Sequence, residues 1–388
     1  MPLDAASGSM LAAPLRADRN QPPFARSTRD GYACRAVEAA AYGWLPVAGS
    51  TRAGQAPSGP LPVGVAWEIM TGAPVPAGAD AVAMLEHVEL LDGQIRLHPA
   101  RKIAPGENIV LQGAEARAGD QLLAAGVRLG SAQIALAAAC GYAKLPVFAK
   151  PRVAILATGD ELVPVESQPA PGQIRNSNSP MLAALVAAAG GEPWILPAVA
   201  DTADALDSAL AAAARADLLL ITGGVSAGKF DLVEAALASL GARFHFTGVR
   251  MQPGKPVVFG ELPRSTGAVP ELRFQPIFGL PGNPISSAVT FLLFAAPVLE
   301  ALAGCHEARP RFALAQLASP WQGKPGLTRF LPAVCDFSFA LGKRPAVTLI
   351  ATQGSGDLAA FARSNCFVVV PETAVRLELG EIASILLR

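Results

Sequence analysis

Between residues 151 and 304 short apolar runs alternate with alanine-rich helical stretches, and few folds accept that alternation: it calls for a parallel sheet whose strands are joined by crossover helices. Strands are expected at 152–157, 194–199, 217–221, 243–249, 257–260 and 276–279, with helices at 180–189, 202–214, 231–240 and 285–303. Several of the runs are apolar throughout, as strands covered on both faces should be. The reading is an open α/β domain.

The flanks have another texture. Residues 1–150 are dense in glycine and proline, with a two-residue hairpin expected at Leu91-Asp92-Gly93-Gln94 and one helix at 131–140, capped by Ser131 and ended by Gly141. Residues 310–388 return to short strands, at 346–351, 366–370 and 383–387, around a helix at 357–363. A chain of 388 residues exceeds what one core holds, so two to four domains are expected, with boundaries near 150 and 305.

Composition narrows the function. Lys plus Arg and Asp plus Glu are both 31, so no basic surplus is available to neutralise a nucleic-acid backbone. At 16% charged and 51% hydrophobic the chain is no disordered segment, and such a surface points to oligomerisation. The longest strongly apolar run, 288–299, stops at Glu300, short of the roughly 20 residues of a membrane span. The first residues lack a basic start followed by an apolar stretch, so a cytoplasmic location is expected. Cys34, Cys140, Cys305, Cys335 and Cys366 lie far apart, as do His87, His98, His245 and His306. Any metal is therefore expected on oxygen ligands or on a ligand's own atoms.

Open α/β sheets bind ligands beyond the carboxyl ends of their strands. There this chain has Thr158-Gly159-Asp160-Glu161, then Thr222-Gly223-Gly224-Val225-Ser226-Ala227-Gly228-Lys229-Phe230-Asp231, then Leu280-Pro281-Gly282-Asn283-Pro284. Each loop serves equally as a tight turn, but three on one edge suggest a backbone that approaches a ligand closely. The second nearly matches a phosphate loop, G-x-x-x-x-G-K-[ST], and fails where Phe230 replaces the metal-binding hydroxyl; Asp231 follows as a hard oxygen donor. The third opens a helix whose free N–H groups could face an anion or could simply start it well. Lys255, in Gln252-Pro253-Gly254-Lys255-Pro256, is a candidate point charge for phosphate. Asn176, Ser177 and Asn178 could serve a heteroaromatic ring or cap a helix.

In order along the chain, DGYA at 30–33, IMTGAPVPAGADAV at 69–82, TGDEL at 158–162, TGGVSAGKFD at 222–231, QPGKP at 252–256 and LPGNPISS at 280–287 resemble the molybdopterin molybdenumtransferase family, bacterial relatives of the gephyrin E domain. The resemblance covers nearly everything from residue 24 onward. It implies a small elongated domain split between 1–23 and 110–150, a β-rich domain at 24–109, a molybdopterin-binding α/β domain at 151–304 and a β-barrel-like domain at 305–388. It further implies a homodimer whose cleft is shared, the α/β domain of one subunit facing the β-rich domain of the other.

The implied activity inserts molybdate into adenylated molybdopterin, hydrolysing the phosphoanhydride with magnesium and releasing AMP. On that pattern Asp30, Thr71, Glu115, Glu161, Asp231 and Lys255 are catalytic candidates, and Asp231 and Glu161 hold Mg2+. Substrate contacts fall to Asn176, Ser177, Asn178, Gly223, Gly224, Ser226, Gln252, Pro281, Gly282, Asn283 and Pro284. A molybdopterin adenylyltransferase is a possible partner; nucleic acid and membrane are not expected. Three departures stand out. Val110 to Glu115 replace an arginine-bearing segment, with Ala114 and Glu115 where Glu-Asp is common; Gln252 replaces a frequent lysine; and Arg29 precedes DGYA where Met is usual. The lost cations at 110 and 252 are what a non-catalytic molybdopterin carrier would show, the alternative expectation.

Overall fold

The computed structural model describes residues 1–223, 230–264, 273–338 and 344–388, with the side chains of Phe230 and Asp231 outside the description. The chain forms two compact units, Met1–Ser7 with Leu11–Pro146, and Gly8–Met10 with Val147–Arg388.

In the first unit a six-stranded mixed sheet carries Gly31–Cys34 between Ala66–Ile69 and Ala81–Met84. The expected hairpin is present: Leu91 pairs with Gln94, and Asp92 and Gly93 take φ of +48° and +73°, the pair of positive angles its turn requires. The helix Ser131–Ala139 also forms, but Ser131 is its first helical residue and not its cap. Gly130 is extended there instead, and its N–H donates to Gln133 Oε1 at 3.1 Å.

The second unit begins with the α/β sheet: β1 (Arg152–Ala157), β2 (Glu192–Ile195), β3 (Leu218–Thr222), β4 (Arg243–Phe246), β5 (Val258–Pro263) and β6 (Phe274–Leu280). Their spatial order is β2-β1-β3-β6-β5-β4. Side chains alternate between two cores. Ala154, Leu156, Leu219 and Ile221 pack with Leu206, Leu210, Val233 and Leu237 of the helices Ala203–Ala213 and Phe230–Ser239. Val153, Ile155, Leu218 and Leu220 pack on the other face with Leu182, Val186, Phe291 and Leu299. Burial on both faces is why these strands read as unbroken apolar runs.

The sheet is not wholly parallel, as the alternation had suggested. β5 runs antiparallel to both β4 and β6. The link from β5 to β6 is residues 264–273, shorter than the dozen or more a parallel crossover needs. β2 also differs, lying at Glu192–Ile195 and not 194–199; Pro193 within it suits an edge strand.

A closed five-stranded barrel follows, made of β7 (Phe312–Leu317), β8 (Thr328–Asp336), β9 (Ala346–Leu349), β10 (Cys366–Val370) and β11 (Ile382–Leu387). The order β8-β9-β7-β11-β10 is closed by pairing of β10 with β8. The helix Leu358–Arg363 is capped by Asp357, whose Oδ1 accepts from Ala360 N–H at 3.0 Å.

Between sheet and barrel runs the helical stretch Pro284–Leu302, interrupted by a π-helical turn at Phe291–Ala295. At 19 residues it is longer than the apolar run in the sequence suggested, and it has the length and apolarity of a membrane span. Its side chains are core: Ile285, Ala288 and Val289 join Phe330, Phe361 and Phe367 of the barrel side, while Phe291, Ala295 and Leu299 join the sheet.

Candidate active site

β1 is flanked by β2 on one side and β3 on the other, so the connections out of β1 and β3 leave a crevice at their carboxyl ends. Here the first and third loops meet the described start of the second, Thr222 and Gly223. Gly223 has φ +93°, and a Cβ on it would overlap the Thr158 carbonyl, so only glycine lets the β1 and β3 ends approach this closely. Asn178 Nδ2 donates to Thr222 Oγ1 at 2.9 Å and to the Gly282 carbonyl at 2.6 Å, tying the helix Asn178–Ala188 to β3 and to the loop after β6. Ser287 Oγ donates to the Pro281 carbonyl and lies 3.2 Å from Thr222 Oγ1. Thr158 Oγ1 and Asn178 Oδ1 are buried beside this cluster with no protein partner.

The opposite wall comes from the barrel. Met251–Gln252 is a short strand parallel to β8, and its register sets Gln252 beside Arg329. Arg329 Nη1 donates to Gln252 Oε1, and Nη2 donates to the Lys324 carbonyl at 3.0 Å. The space between the walls is a cavity of about 1360 Å³. Its described charged lining is Arg175, Lys255, Lys324 and Arg329 against Glu161. Four cations against one carboxylate suit a polyanionic ligand.

The expected residues are placed as follows. Glu161, Asn176, Ser177, Asn178, Gly223, Gln252, Lys255, Pro281, Gly282, Asn283 and Pro284 all line this cavity. Gly224 and Ser226 lie outside the described residues, as does the Asp231 side chain. Asn176, one residue ahead of the cap position Ser177, braces the first turn of the helix, Oδ1 accepting from Ser179 N–H at 3.1 Å and Nδ2 donating to Ser179 Oγ at 2.9 Å. At the helix start after Pro284 one of the expected free N–H groups is taken, because the Ile285 N–H donates to the Ser355 carbonyl at 3.1 Å.

The other candidates lie in the first unit. Asp30 Oδ1 accepts from the Thr71 N–H at 2.6 Å and from the Thr71 hydroxyl at 2.8 Å. These bonds, the backbone one foremost, hold the exposed Asp30 carboxyl below its ordinary range. Glu115 forms an exposed ion pair with Arg26 at 2.9 Å. Among the described residues no group of three or more His, Cys, Asp and Glu side chains could hold a metal.

Sequence reasoning missed Trp321, Lys324 and Arg329. They sit in no motif, and only the pairing of Met251–Gln252 with β8 brings that wall to the QPGKP segment. The spacing of Gln252 to Lys255 gave half the signal; the other half is tertiary.

Three family models match the chain: the MoeA N-terminal region (domain I and II) over residues 1–141, a probable molybdopterin binding domain over 154–301, and the MoeA C-terminal region (domain IV) over 314–387. A molybdopterin molybdenumtransferase of Nostoc sp. is 39% identical over 306 residues, 77% of this chain and 68% of the relative. The molybdopterin molybdenumtransferase of Bacillus subtilis is 34% identical across 97% of this chain and 86% of its own length. Among solved structures, the molybdopterin biosynthesis moeA protein of Pyrococcus horikoshii OT3 superposes with a TM-score of 0.80 at 29% identity, covering 100% of this chain and 94% of that one.

Proposed function

The chain belongs to the molybdopterin molybdenumtransferase family, and from that premise we propose that it inserts molybdate into adenylated molybdopterin with magnesium-dependent release of AMP. It is a transferase of molybdenum cofactor biosynthesis. The observation that carries the finer reading is the cation-rich cavity at the switch point of the sheet, of a size for a ligand with two ring systems joined by pyrophosphate.

The residues divide that work by chemistry. Lys255 and Arg329, both lining the cavity, offset phosphate and oxyanion charge, and Asn178 Oδ1 and Thr158 Oγ1 offer buried acceptor capacity beside them. Glu161 with Asp231 would supply carboxylate oxygen of the kind Mg2+ takes, substrate phosphates being the other oxygen donors available to it. A bound Mg2+ would withdraw charge from the phosphoanhydride undergoing hydrolysis. Asp30, held ionised by Thr71, is assigned to the molybdate side or to orienting the attacking group, reaching a partner's cleft in a homodimer. The division into four domains, the cytoplasmic location and an adenylyltransferase as supplier of the substrate belong to the same reading.

The carrier alternative rested on lost cations. Arg329, bonded to Gln252, puts a guanidinium where the usual lysine is absent, so that substitution leaves the cavity charged. The deciding experiment is AMP release from excess adenylated molybdopterin with magnesium, with and without molybdate. Multiple molybdate-dependent turnovers, lost in Asp231→Ala with the fold intact, are expected; binding without AMP would mean a carrier, and normal turnover by Asp231→Ala would defeat the metal assignment.

A further inference from the structure

We propose that Trp321, on the barrel wall of the cavity, is the platform on which one fused heteroaromatic ring of the substrate stacks. The inference rests on the proposed substrate and adds a positioning residue that none of the motifs contains. Trp321 packs against the barrel core through part of its surface and lines the cavity with the rest. The indole lies close over Gly323, where a Cβ would come within 2.6 Å of Cη2, so a side chain there would push the ring off its seat. Among the described lining residues the other aromatic is Phe330, which is only 6% exposed and belongs to the core beneath the helix Pro284–Thr290. Trp321 thus offers the aromatic surface that a ligand can reach.

The platform is held before any ligand arrives. Trp321–Gln322 pairs antiparallel with Arg376–Leu377, Gly323 N–H donates to the Val375 carbonyl at 2.9 Å, and Gly326 N–H donates to the Glu372 carbonyl at 2.6 Å. The Lys324 carbonyl is fixed by Arg329. A ring landing on a surface already immobilised loses little to ordering of the protein. Indole stacking is indifferent to which π-face it meets, and Lys324 beside it suits a ring that carries a phosphate. Adenylated molybdopterin has two such rings, adenine and pterin, on either side of its pyrophosphate. The loops of the α/β sheet line the far wall, so one ring is expected there and the other on Trp321.

The test uses the full chain with AMP and with 6-hydroxymethylpterin as separate probes, followed by isothermal titration and by tryptophan emission, for wild type, Trp321→Phe and Trp321→Leu. The expected result is that one probe quenches an emission component missing in both variants and binds about tenfold or more weakly to Trp321→Leu, with Phe recovering much of the loss. Quenching by AMP assigns the adenine end to Trp321, and quenching by the pterin assigns the other end. With adenylated molybdopterin KM should rise in Trp321→Leu while kcat changes little, and melts should stay cooperative, with Trp321→Phe losing less stability than Trp321→Leu because the ring also packs on the barrel core. Equal affinities and equal KM in wild type and in a folded Trp321→Leu would overturn the inference and leave the transferase reading standing. Absence of both binding and turnover in wild type would remove that reading, and this inference with it.

Discussion

Replacing Gly223 by alanine should damage the crevice in a calculable way. The residue sits at φ +93°, where an L side chain costs about 1–2 kcal/mol. The added methyl would also overlap the Thr158 carbonyl oxygen and lie 3.2 Å from its carbon. Neither strand end can retreat freely, because Thr158 N–H donates to the Thr222 carbonyl at 2.9 Å and Ala157 pairs with Thr222. Overpacking of this kind costs a further ~1–3 kcal/mol, for a total of about 2–5 kcal/mol. For a domain of this size each kcal/mol moves the melting temperature by about 2–4 °C, so a fall of roughly 4–20 °C is expected. Calorimetry should compare Gly223→Ala with Gly282→Ala, whose methyl would meet Gly223 Cα at an ordinary 3.6 Å and should change stability by less than about 0.5 kcal/mol. If the two variants melt together, close approach of the β1 and β3 ends is not what fixes glycine at 223.

Other outcomes follow from bonds elsewhere. Thr71→Val removes the hydroxyl donor to Asp30 while keeping the backbone N–H, so the Asp30 carboxyl should titrate at higher pH and the acid limb of AMP release should move up with it; a pH–rate profile with an unmoved or lowered limb refutes this. Asn178→Ala withdraws both donors from Thr222 and the Gly282 carbonyl, and chemical denaturation should register a loss of about 1–3 kcal/mol. Burial pushes the Cys34 and Cys366 thiols from 9.0 up to about 12. The folded state therefore favours their neutral forms, a contribution present in full below pH 9.0 and lost as pH climbs toward about 12. Denaturation of Cys366→Ala across that window should decline less steeply than wild type, and parallel slopes would count against it.

How far the sequence could be read depended on whether the signal was local. β1 lies where its apolar run places it, and Asp92-Gly93 announces its own turn. The direction of β5 was hidden because apolarity says where a strand is and not which way it runs; only the short link to β6 does. Ser131 looked like a cap by residue type, yet Gln133 reaching back to Gly130 decided the boundary one residue earlier. At the site, the glycine loops were legible because a backbone near a neighbour needs glycine at a fixed place. Trp321 and Arg329 were not, since Trp321 pairs with Leu377, 56 residues on, and Arg329 with Gln252, 77 residues back, and the wall exists only after the strand pairs form.

The helix Pro284–Leu302 changes which core it faces at the π-helical turn, its first half seated against Phe330 and Phe367 and its second against the sheet. The barrel and the α/β layer are consequently not separable by cleavage near residue 305. A fragment ending there would leave Ile285, Ala288 and Val289 facing water, and it should self-associate when expressed alone. Insertions or deletions of one residue within 291–295 would turn one half of the helix out of its core. For the same reason the two parts should unfold in one transition, and substitutions that fit the barrel to this helix will be felt at the rim of the crevice, where the helix begins.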